Sequence, residues 1–95
     1  MSRPVVALDV ARHVLWHFGD TNLGQEPGGF MSALLVAISR ADALNGARLA
    51  AGFPAHVAAV TAVKNEPWGL EWLRGIVKAD LDRRERGLDF TAAGA

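Results

Sequence analysis

The stretch HFGDTNLGQEPGGF, His17 to Phe30, decides the fold. Four glycines and a proline stand between two runs of helical period, so it is either a phosphate-cradling loop in an α/β domain or a connection between two helices. A phosphate loop needs a strand before it and a Lys with Ser or Thr opening the next helix. Here the preceding run, Val5, Leu8, Ala11, Leu15 and Phe18, recurs at spacings of three and four, no lysine occurs before Lys64, and Glu26 would repel an anion. The helix connection fits.

As a calcium loop the stretch begins well, with Asp20 and Asn22. Gly24 then takes a ligand position and Met31 stands where the closing glutamate belongs, so the loop fails at two essential places. A structural reading accounts for the same residues. Gly19 ends the first helix, Pro27 to Gly29 start the second, and Asp20, Asn22 and Glu26 satisfy free backbone N–H groups between them.

Working outward, Pro4 suits the first turn of helix one, and Phe30, Leu34, Leu35, Ala37, Ile38 and Ala41 carry helix two to about Arg40. Asp42 is a good N-cap for a short third helix with Leu44, Ala47 and Leu49 on its apolar face and Gly52 at its end. Pro54 opens a fourth helix with Val57, Val60 and Val63, and Glu66-Pro67 marks the next boundary. The last helix runs from Pro67 to about Arg86, with Leu70, Leu73, Ile76, Val77 and Leu81 on one face and Trp68, Trp72 and Ile76 on an adjoining strip. No segment alternates like a strand. The expectation is an all-α fold, a compact orthogonal bundle of four to five short helices, with residues 1–87 as a single domain and 88–95 as a flexible C-terminal tail.

Composition narrows the function. Ten basic and ten acidic residues cancel, so no overall field draws the 95-residue chain to nucleic acid or an acidic membrane, and neutrality favours a protein partner. The absence of cysteine removes disulfides, thiolate catalysis and cysteine-ligated zinc. There is no run of the roughly 18 apolar residues that a membrane span requires, and Asp9 and Arg12 interrupt the N-terminal stretch where a signal peptide would be apolar. A cytoplasmic protein with no membrane association is expected.

Four constellations invite chemistry. His13 and His17, one turn apart with Asp9 and Asp20 nearby and His56 as a further candidate, have spacing that can hold zinc, but Val14 stands where the metalloprotease glutamate belongs and the ligand count is incomplete. No metal and no cofactor are expected. Ser2, Ser32, Ser39, Thr21, Thr61 and Thr91 include no Gly-x-Ser-x-Gly context, so an enzyme is not expected. Residues 43–65 have the rhythm of a helix-turn-helix, whose reading residues would be His56, Thr61, Lys64 and Asn65, a poor set for bases and phosphates. Finally, Trp68 and Trp72 are core if buried and partner anchors if exposed.

Residues Phe18, Gly19, Leu23, Gly24, Glu26, Pro27, Gly28, Phe30, Arg40, Ala41, Asp42, Asn45, Arg48, Leu49, Gly52, Phe53 and Pro54 resemble a group of small helical proteins of unknown function from actinobacteria and actinobacteriophages. Eight arginines against two lysines suit a GC-rich coding source of that kind. The resemblance implies an accessory protein that acts by binding a host protein, and it brings no catalytic residues. The leading expectation is therefore a protein-interaction module or homodimer using Trp68, Trp72 and Ile76, or Asp20, Asn22 and Glu26. A small DNA-binding regulator is the alternative.

Overall fold

The computed structural model describes residues 3–94, with side chains described for residues 3–86. Among these the chain is an all-α bundle of five helices: α1 Leu8–His17, α2 Gly29–Arg40, α3 Ala43–Gly52, α4 Pro54–Asn65 and α5 Gly69–Gly94. One core joins Val6, Val10, Ala11, Val14 and Leu15 to Leu34, Leu35 and Ile38 of α2, Ala59 and Val60 of α4, and Leu73 and Val77 of α5. α3 contributes no buried residue.

α4 is the hub, packing against each of the other four helices. Its composition allows this, because Ala55, Ala58, Ala59 and Ala62 let neighbouring backbones come close on several sides. The tightest crossing is with α5. A Cβ at Gly69 would sit 2.6 Å from both the Ala62 carbonyl carbon and the Val63 Cα, so only glycine fits there.

The first helix starts later than its proline suggests. Residues 3–7 are not helical, and Ala7 is the extended N-cap. Val5 and Val6 are β-branched and weak helix formers, and the extended path sends Val6 into the core while leaving Val5 95% exposed. The core face of α1 is consequently Val10, Ala11, Val14 and Leu15, displaced from the Val5, Leu8 and Phe18 line. Three other large apolar residues expected inside are outside: Leu44 of α3 is 61% exposed, Phe30 at the start of α2 is 69% exposed and Leu81 of α5 is 44% exposed.

The last helix is longer than expected, reaching Gly94 rather than ending near Arg86, and Ala95 of the expected 88–95 tail lies outside the described residues. The sequence past Arg86 contains no proline, and Ala92 and Ala93 favour helix. Between Lys78 and Arg86 the helix is held by its own charges. Asp80 pairs with Arg84 at 2.9 Å and with Arg83 at 3.7 Å, and Asp82 pairs with Arg86 at 2.9 Å. No helix among the described residues is long and apolar enough to cross a membrane.

Candidate functional site

The connection from His17 to Phe30 is a built structure. Gly19 has φ +99°, closed to most side chains, and closes α1 with paired hydrogen bonds, its own N–H donating to Trp16 O and the Asp20 N–H to Leu15 O. Asp20 then caps the turn that follows, its Oδ1 accepting from the N–H groups of Asn22 at 3.0 Å and Leu23 at 2.9 Å. Its Oδ2 accepts from Arg74 Nε of α5 at 2.9 Å, and Arg74 also donates to Glu71 at 2.8 Å. The Leu23 N–H, with Arg74 next in weight, holds the Asp20 carboxyl below the usual carboxylate range. The same contact raises the Arg74 guanidinium, through Asp20 first and Glu71 second.

The loop then doubles back along α1. Gln25 N–H donates to Arg12 O at 3.0 Å, and a Cβ on Gly24 would lie 2.5 Å from Trp16 N and 2.8 Å from Trp16 Cα. Of the loop residues named for a partner, Asp20 is therefore spent on the fold, with its side chain only 10% exposed. Asn22 and Glu26 are exposed.

The histidines do not converge on a metal. His17 Nε2 lies 3.0 Å from Ser39 Oγ, and because that hydroxyl donates to Leu35 O at 2.8 Å it accepts from an Nε2–H of His17. His56 packs edge-on against Phe53 with ring centres 5.9 Å apart, and Phe53 in turn meets Phe30. Burial lowers the proton affinity of His56, with Asp9 opposing and His13 adding to the effect. Among the described residues no group of three His, Cys, Asp or Glu could hold a metal ion.

The would-be helix-turn-helix has a connection of one residue, Phe53, between α3 and α4, whereas a DNA-reading pair uses a turn of about three to four. Moreover α4, the helix that would enter a groove, packs against all four other helices, which leaves only a narrow strip of it exposed. His56 is half-buried and Lys64 donates its ammonium to Ser39 O at the end of α2. Thr61 and Asn65 are exposed.

The tryptophan strip divides. Trp72 and Ile76 are partly buried and pack on the core, so they belong mainly to the fold. Trp68 meets Trp72 edge-to-face at 5.5 Å and carries the Arg3 guanidinium 4.7 Å over its ring. Beside it opens a solvent-accessible groove of about 730 Å³, whose apolar lining is Pro4, Ala50, Val57, Ala58, Ala62 and Trp68 and whose polar lining is Arg3, Thr61, Asn65 and Glu66. The sequence named Trp68 as a partner anchor, but not its groove, because the wall of Ala50 from α3 and Val57, Ala58 and Ala62 from α4 meets Pro4 and Trp68 only in the fold.

No protein family, curated protein or solved structure matches the chain.

Proposed function

We propose that the chain is a small, non-enzymatic, cytoplasmic module that binds another protein by accepting an apolar segment of it in the groove beside Trp68. The observation that supports this reading is the groove itself: a tryptophan, held by a cation on its ring, stands next to an open wall of alanine and valine. Tryptophan and arginine are the side chains most enriched among interface anchors, and the alanines allow a helix to approach closely. The resemblance carried by residues 18–54 favours a host protein as the partner, with a second copy of the chain as the other candidate.

The test places a bulky charge at the groove wall. Tagged wild-type protein and an Ala50→Arg variant are expressed in source cells, with matched melting curves as the control for folding. Wild type should retain a stoichiometric protein, or sediment as a dimer, and the variant should lose it. A monomeric wild type without a partner, or a partner retained equally by the variant, would refute the proposal.

A further inference from the structure

A second feature lies on the other flank of α3. α2 and α3 diverge from Ala41 and Asp42 and each packs mainly on other helices, α4 among them, which leaves a notch between them of about 390 Å³. Its apolar lining is Ala37, Ala41 and Leu49, and its polar lining is Arg40, Asn45 and Arg48. Both arginines are exposed, and neither forms an ion pair among the described residues. The nearest acid in sequence, Asp42, is occupied as the N-cap of α3, its Oδ1 accepting from the Asn45 N–H at 2.8 Å. Asn45 Oδ1 in turn accepts from Arg48 Nη1 at 3.3 Å, which leaves the remaining guanidinium donors of Arg48 and the Asn45 amide group to face a ligand.

The ordinary role of Arg40 is to complement the negative end of α2, where it is the last residue. That role does not explain Arg48, which is in the middle of α3, or the apolar lining of the notch. We infer that the notch receives an acidic segment of a partner protein, carboxylates on Arg40 and Arg48 and an aliphatic side chain on Leu49. This rests on the reading of the chain as a protein-binding module, but uses a different surface. Charge complementarity selects the occupant: two unneutralised guanidinium groups with bidentate donors suit carboxylates. A duplex would instead call for several phosphate-contacting cations and has no use for the apolar lining.

The experiment is fluorescence anisotropy at low salt, with the full chain and a labelled helical Glu/Leu peptide, against a matched Gln/Leu peptide and a labelled DNA duplex. The Glu/Leu peptide should bind best and weaken with added salt. Arg40→Ala and Arg48→Ala should each cost about fivefold, the upper range for an exposed ion pair, and about 25-fold together if independent. Reversal by Arg40→Glu with Arg48→Glu should transfer preference to a Lys/Leu peptide. Both side chains are exposed, and an unchanged melting curve excludes misfolding. Equal binding of the Gln/Leu peptide, indifference to both substitutions, or tighter binding of the duplex would overturn the inference. Peptide binding without partner capture would sink the groove alone, and partner capture without peptide binding would sink the notch alone.

Discussion

Gly24→Ala puts the reading of the His17 to Phe30 connection under direct strain. A Cβ there meets Trp16 N at 2.5 Å and Trp16 Cα at 2.8 Å, and both are backbone atoms inside α1, which cannot yield as a flexible side chain would. The loop must lift away. That breaks the Gln25 N–H bond to Arg12 O and the Gly24 N–H bond to Asp20 O, each worth about 1 kcal/mol net. It also unseats Leu23, which packs half-buried on the core, for about another 1 kcal/mol. A total of about 3 kcal/mol, divided by a melting entropy of about 0.2 kcal/mol/K for a chain this long, lowers the melting temperature by about 15 °C. Gly28 supplies the contrast from the same loop. It has φ −68° and open space around it, and the stiffer unfolded chain of Gly28→Ala is offset by the poorer helix cap that alanine makes at this N-cap position, so the variant should melt within a few degrees of wild type. Circular dichroism melts of the three proteins decide the matter, and a Gly24→Ala melting within about 3 °C of Gly28→Ala would show that the connection is not folded onto α1.

Other substitutions test the remaining contacts. Asp20→Ala removes the turn cap and the tie to Arg74 and should destabilise by about 1 kcal/mol or more; since the folded carboxyl titrates below its ordinary value, this difference should be full above about pH 5 and vanish as acid protonates the wild-type carboxylate, which melts across pH 2 to 7 would reveal. His56 is held below its ordinary range by burial, so the unfolded chain takes up the proton first and stability should fall as pH drops below about 6.5; His56→Gln should flatten that slope in the same melts. Leu35→Ala, at a fully buried α2 position, should cost about 2–5 kcal/mol in urea unfolding, whereas Val36→Ala, on the solvent side of the same helix, should cost well under 1 kcal/mol.

What could be read from sequence follows the range of the physics involved. Gly19, Asp42 and Pro54 act within one turn of their own position, and each performs the terminating or starting role its residue type suggests. The start of α1 is not legible in the sequence, because Val5 and Val6 are adjacent and apolar, and period alone cannot say which of them faces inward. Only the packed bundle shows Val6 in the core and Val5 in water. The tie between Asp20 and Arg74 spans 54 residues, and the steric demand for glycine at 24 and 69 comes from backbones that only the fold brings near. Trp68 and Trp72 are identical in type and one turn apart, yet one borders an open groove while the other packs on the core; that difference depends on where residues 3–6 run.

The distribution of burial sets α3 apart from the other four helices. α1, α2, α4 and α5 each place residues in the core, so most substitutions on their inner faces are constrained by packing. α3 has none, packs substantially only on α4, and exposes Leu44 at 61%. A helix that contributes so little apolar burial is held by its Asp42 cap and its α4 contact, and should open more readily than its neighbours. The two hollows described above lie on either side of it: Ala50 walls the groove beside Trp68, while Asn45, Arg48 and Leu49 wall the notch against α2. If the groove and the notch bind as proposed, the occupants would cover α3 from both flanks, and the substitutions at Ala50 and Arg48 would report on the same helix.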